Sequence, residues 1–289
     1  MKVLAALANA RAHNRRAMNF RLRYAPLALL LLALSACAED PPPETIRLRE
    51  GPAAGAEIQV INAVRLPRAE LDALEAEYLG WAKRVYAYFK LSKPEPVKLK
   101  LVEHSVGFYV EDTILVGMRD RDDALESWIH ELTHHATGHD SSFFFKEGIA
   151  THTLEKLFRE ERRMPQGWPQ YGKSNDAWVN LFLQRKQLMP LQQALNWEHY
   201  VGFPPEQDFH SWQIYCMGGS FAGWFIRTHG MDAFLAAFQK EELPEPVEKI
   251  EQQWLDDIRQ QKLALFDPAE ALPDGFRYRA FAKRLAPAN

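Results

Sequence analysis

Cysteine is almost missing from this chain: 289 residues hold two, Cys37 and Cys216. That excludes a small fold stapled by several disulfides, so stability has to come from a hydrophobic core. Acidic residues are missing from the first 36 positions, which carry Lys2, Arg11, Arg15, Arg16, Arg21 and Arg23. The apolar run from Ala25 through Leu34, broken by Pro26, falls short of the roughly 20 residues a bilayer span needs. There is no internal repeat, and 15 Gly and 18 Pro exclude a collagenous chain. What remains is an ordinary globular composition, 47% hydrophobic and 25% charged, of a length that suits one large domain or two small ones.

A basic stretch, a short apolar stretch and then small residues form the pattern of a secretory signal. Its end, Leu34-Ser35-Ala36-Cys37, resembles the lipobox of bacterial lipoproteins. The resemblance implies cleavage after Ala36 and lipidation of Cys37, which becomes the membrane anchor. Met18 would begin a signal of more usual length, and Ala38 in place of Asp implies sorting to the outer membrane. Removing the six leader bases changes the charge from −3 to −9, with 29 bases against 38 acids. Such an acidic domain is a poor electrostatic match to nucleic acid. Residues 38–55, AEDPPPETIRLREGPAAG, are rich in Pro, Gly and charge and read as a tether ahead of a domain at 56–289.

Within that domain the spacing of Leu71, Leu74, Tyr78, Trp81, Val85 and Phe89 predicts an amphipathic helix over 67–91. Alternation in VKLKLV (97–102), GFYV (107–110) and TILVG (113–117) predicts short strands, the last two as a hairpin. A helix capped by Asp122 or Asp123 should run to Gly138, with further helices at 142–162, 176–187, 211–229, 231–240 and 245–262. A few strands followed by many helices give an α+β fold, a small mixed sheet packed on one active-site helix with a mainly helical C-terminal part.

That helix carries His130-Glu131-Leu132-Thr133-His134, which fits H-E-x-x-H. Positions i and i+4 share one helical face, so two imidazoles can reach one zinc ion. Glu131 is rotated off that face. It can reach a water whose pKa zinc lowers towards about 7, and act as general base and then acid. A catalytic zinc site usually takes a third protein ligand, and two residues compete for the place. Asp140 stands six after His134, as in extended metzincin motifs, but Thr137 occupies the position where those motifs need glycine. Glu147 stands thirteen after His134, in Phe144-Phe145-Lys146-Glu147-Gly148-Ile149-Ala150.

HELTH followed by EGIA resembles the gluzincin metallopeptidases in their peptidase MA-like branch, over roughly residues 70–260. The resemblance implies zinc bound by His130, His134 and Glu147, hydrolysis of peptide bonds, and an edge strand within 106–117 that pairs with extended peptide substrate. It also implies a small-residue turn at Cys216–Ser220 after Tyr215. Two features depart from it: residue 146 is Lys, and Thr151 stands where an aspartate would orient the ligands. Tyr215 could donate to a developing oxyanion or be a core aromatic, and His210 could be a second donor. Gly117-Met118-Arg119-Asp120 departs from the G-x-M-E-N exopeptidase motif and lies too near His130, which makes an endopeptidase the expected type. A different class stays open beside this one, an envelope binding lipoprotein without catalysis, although such a protein has no use for Glu131.

Overall fold

The computed structural model describes residues 40–287 other than 93, 104–106, 111, 139–140 and 198–204. The leader, Cys37 and Asp140 therefore lie outside the described residues. The chain divides into two units, Met1–Pro41 and Pro42–Asn289, and every element among the described residues belongs to the second.

Five strands form one mixed sheet in the order β1-β2-β3-β5-β4. β1 (Glu44–Arg47) runs antiparallel to β2 (Glu57–Asn62), and β2 is parallel to β3 (Val97–Val102). β3 is parallel to β5 (Thr113–Gly117), and β4 (Gly107–Val110) is the antiparallel partner of β5 at the edge. A parallel pair needs a crossover, and α1 (Arg68–Tyr88) supplies it between β2 and β3. Side chains alternate between the faces of a sheet. Ile58, Val60, Val97, Leu99, Leu101, Ile114 and Val116 are buried on one face, while Gln59, Lys98, Lys100, Thr113 and Leu115 are half-buried on the other. α1 turns Leu71, Leu74, Tyr78, Trp81 and Val85 into that core, the stripe its spacing predicts.

The 38–55 segment is not only a tether. It contains β1, buries Leu48 and Ala53, and closes a turn by Leu48 N–H to Ala56 O at 3.1 Å and Gly55 N–H to Leu48 O at 2.8 Å. Charge and proline, which read as linker composition, are also what an edge strand tolerates. β2 carries a legible signal of its own, the alternating Ile58 and Val60, in a stretch where the sequence patterns above place no strand.

α2 (Arg121–Thr137) begins two residues earlier than expected. Its cap is Asp120, whose carboxylate accepts from the N–H groups of Asp122 (2.9 Å) and Asp123 (3.3 Å). Trp128 fixes it to α1 by stacking on Tyr78 and donating to the Tyr78 carbonyl at 3.1 Å. Gly138 ends it at φ 87°, a conformation that favours glycine. There follow α3 (Phe143–Glu160), α4 (Asn175–Gln184), α5 (Leu191–Leu195) and α6 (Pro205–His229). The last four helices are α7 (Met231–Lys240), α8 (Val247–Gln260), α9 (Pro268–Ala271) and α10 (Phe276–Leu285). The fold is α+β, as expected, and no helix among the described residues is long and apolar enough to cross a membrane. One core lies between sheet and helices. A second, aromatic core joins Trp178, Phe182, Phe209 and Trp212 to Phe281 and Leu285 of α10.

The small-residue turn that the resemblance implies at 216–220 is absent; those residues lie inside the 25-residue α6, in line with the helix expected over 211–229. Gly218 is there for packing rather than turning. A Cβ on Gly148 of α3 would stand 2.7 Å from the Gly218 carbonyl carbon, and a Cβ on Gly218 would stand 2.8 Å from the Gly148 Cα. The two helices cross backbone to backbone at this glycine pair.

Candidate metal centre and active site

Three side chains converge where α2 meets α3. His130 and His134 lie one turn apart on α2, and Glu147 comes from the first turns of α3, after the reversal at Gly138. Glu147 Oε2 stands 3.0 Å from His130 Nε2 and 3.3 Å from His134 Nε2, and the two imidazole nitrogens are 3.2 Å apart. His134 and Glu147 are buried and His130 nearly so.

This donor set fits a metal ion. All three ligand atoms lie within 4.8 Å of one another and could hold one ion. Atoms placed 2.0–2.1 Å from a tetrahedral centre stand about 3.3 Å apart, close to the three separations here. A single proton can occupy one of these contacts at a time, whereas a divalent cation can serve all three. The electrostatics are those of a linked group. Burial works to raise the Glu147 pKa, but the neighbouring histidines outweigh it and hold the carboxyl well below its usual range. Burial lowers His134. It also works to lower His130, where the hydrogen bond to Glu147 and the charge of Glu131 reverse the balance.

Glu131, the next residue along α2, points towards β4. Its carboxylate accepts from the Tyr109 main-chain N–H, and burial, opposed by His130 and reinforced by Glu147, pushes its pKa up to about 7. Tyr109 is also held through its hydroxyl, 3.3 Å from His135 Nδ1, while His135 Nε2 donates to the Glu95 carbonyl at 2.9 Å. His135 therefore ties the edge strand to the metal-site helix, a link that sequence spacing does not reveal.

Tyr215 reaches the site from α6. Its ring centroid is 6.0 Å from that of His130, its hydroxyl hydrogen-bonds Glu147, and burial raises the phenol pKa well above the ordinary value. Phe143 and Trp168 meet the ring edge-on at 5.5 and 5.8 Å. The loop carrying Trp168 is pinned by Glu126, one turn before His130, whose carboxylate accepts from Gln166 N–H (2.6 Å) and Gly167 N–H (2.9 Å). Lys146, noted in the sequence only as a departure, places Nζ 3.7 Å from Glu147 Oε1. Lys146 and Tyr215 are the partners of the third ligand that Thr151 does not supply, since Thr151 is buried next to Gly219.

Two further histidines among the described residues have partners of their own. His152 Nε2 is 2.9 Å from the Tyr88 hydroxyl, and His210 Nδ1 is 3.2 Å from Gln213 Oε1 with its ring against Trp197.

No protein-family model matches the sequence, and no match was found among curated proteins. Solved structures similar to the chain include M1 zinc metallopeptidases. That of Deinococcus radiodurans shares 13% identity at a TM-score of 0.40, over 87% of this chain and 53% of that one. A mutant of it bound to a Tyr-Ser-Ala substrate shares 14% at 0.44, over 86% and 52%. The chain spans about half the length of these structures.

Proposed function

We propose that the protein is a zinc-dependent peptidase, of endopeptidase type, anchored through a lipid on Cys37 at the bacterial cell envelope. The observation that carries this reading is the placement of Glu131, between a His-His-Glu metal site and the main chain of an edge strand. Zinc, when held by His130, His134 and Glu147, supplies a Lewis acid that acidifies a water to a pKa of about 7 and polarises a carbonyl. Glu131, whose own pKa is pushed up to about 7, is matched to take a proton from the attacking water and return it to the leaving nitrogen. Tyr215, whose phenol pKa burial raises well above its ordinary value, can donate a hydrogen bond to the developing oxyanion. Lys146 engages Oε1 of Glu147 and leaves Oε2 facing the histidines. β4 offers an edge to which an extended main chain can add.

Metal content and casein hydrolysis test the proposal together. Glu131→Gln should retain one zinc per chain and lose hydrolysis by roughly 10²–10⁴-fold, the usual contribution of a positioned general base. Glu147→Ala should lose the zinc. Asp140→Ala should keep it; loss of zinc there with retention in Glu147→Ala would move the third ligand to Asp140. Failure of the wild type to cleave any member of a broad peptide library would leave a zinc-binding envelope module instead.

A further inference from the structure

The edge strand has an unusual outward face. Edge strands are commonly blunted by charge or proline, yet β4 reads Gly107-Phe108-Tyr109-Val110 and holds neither. Gly107 and Tyr109 face α2: a Cβ on Gly107 would lie 2.6 Å from the Ser127 Cβ, and the Tyr109 ring packs on His135. Phe108 and Val110 therefore point to the opposite face, in register with Leu115 and Thr113 of β5. They are 42% and 40% exposed, and with Leu265 they make up the exposed large hydrophobics among the described residues. The same four-residue strand donates its Tyr109 N–H to Glu131, so the apolar pair is continuous with the candidate active site.

We propose that Phe108 and Val110 are a specificity surface for an extended peptide that adds to β4 and carries two apolar side chains, two residues apart, on its outward face. The proposal deepens the peptidase reading and rests on it. An added strand would lie about 4.8 Å from β4, and its alternate side chains would fall on the two faces in turn. Those on the α2 side would point towards His130 and Glu131. Those on the outer side would become cross-strand neighbours of Phe108 and Val110, with Cβ atoms about 4.5–5.5 Å apart, the range in which aromatic and β-branched pairs attract. The preferred substrate is thus an alternating apolar-polar segment, one that is itself a strand or an unfolded stretch of one, rather than a contiguous apolar run.

Binding separates this idea from catalysis. The full chain bearing Glu131→Gln would be titrated against two fluorescein-labelled hexapeptides of equal composition, Lys-Val-Thr-Val-Thr-Lys and Lys-Val-Val-Thr-Thr-Lys. The alternating peptide should bind about three- to tenfold tighter, two cross-strand pairs against one. Adding Phe108→Thr and Val110→Thr, both at exposed strand positions, should bring the ratio within twofold, and Phe108→Leu should preserve it. Equal binding of the two peptides overturns the proposal, as does a ratio that survives in the doubly substituted face. So does a ratio unaffected by those substitutions while they abolish co-sedimentation with phosphatidylethanolamine–phosphatidylglycerol vesicles, or a concentration-dependent dimer; the face would then belong to lipid or to a second copy. A ratio present in a chain whose wild type cleaves neither casein nor any member of the broad peptide library supports the surface and sinks the hydrolase. Cleavage without a ratio does the reverse.

Discussion

Glu155 poses a charge problem away from the metal site. It is buried on α3, accepts from Asn175 N–H at 2.8 Å and meets Arg159 Nε at 3.2 Å, yet burial pushes its pKa up to about 7. A carboxyl with a raised folded-state pKa holds its proton in the folded chain while the unfolded chain has already lost it. Between the ordinary glutamate value of 4.5 and about 7 the folded state therefore binds more protons, and stability falls as pH rises through that window. The effect amounts to at most about 3 kcal/mol from this residue. Denaturant titrations at pH 5 and pH 8 should show the wild type losing stability relative to Glu155→Gln; an unchanged difference between the two pH values would remove the assignment. At this scale much of the site was legible. Glu147 rests on the family resemblance of EGIA and competes with Asp140, whereas His130 and His134 announce themselves because ligand chemistry restricts residue type and helical spacing restricts position. Lys146 and His135 did not, because what matters is which way each side chain leaves its helix, and neighbouring residues in sequence point to different partners.

Helices with apolar stripes were readable as such, since the 3.6-residue period is a local property; Leu71, Leu74, Tyr78, Trp81 and Val85 of the predicted stripe are buried on α1, joined by Glu75, Ala82 and Tyr86. Residues 216–220 admit two readings, helix from the pattern over 211–229 and a small-residue turn from the family resemblance; the structure has the helix, and Gly218 there serves the crossing with α3. The Gly148–Gly218 crossing is what brings Glu147 and Tyr215 together, one residue and three residues away from the contact. Alanine at either glycine would gain about 0.5–1 kcal/mol of helix propensity but force the backbones apart, an overpacking cost of about 1–3 kcal/mol. Gly148→Ala and Gly218→Ala should each come out destabilised, with weaker zinc binding. Gly80, exposed on α1 with no atom within 4 Å of where a methyl group would stand, is the control: Gly80→Ala should raise the melting temperature. A Gly148→Ala chain as stable and as tightly zinc-bound as the wild type would show the close approach to be incidental.

Over the whole molecule, the sheet-and-helix core and the aromatic core share α6, which contributes Met217 and Phe221 to the first and Phe209 and Trp212 to the second. Phe281 stacks on Trp212 with ring planes 5° apart, and Arg277 of the same helix lies 4.7 Å above Trp168, the residue packed on Tyr215. The C-terminal helices thus brace one wall of the candidate site from outside. Deleting residues 268–289 should bare the aromatic cluster, raise the fluorescence of an added apolar dye and weaken hydrolysis more than zinc content. Unaltered dye binding would mean that α10 covers nothing of consequence. This brace is hidden in the sequence because FRYRAFAKRL shows its aromatic residues among many bases, and only the partner surface decides which of the two faces inward.

β1 at Glu44 shortens the leash. In the proposed lipid-anchored form, six residues separate Cys37 from β1, a contour of about 20 Å when fully drawn out. The sheet order puts β1 at one border and β4 at the other, four strand spacings or about 19 Å away. A tether would thus join the folded part at one border of the sheet, while the proposed peptide-binding edge is the other border, the full width of the sheet away.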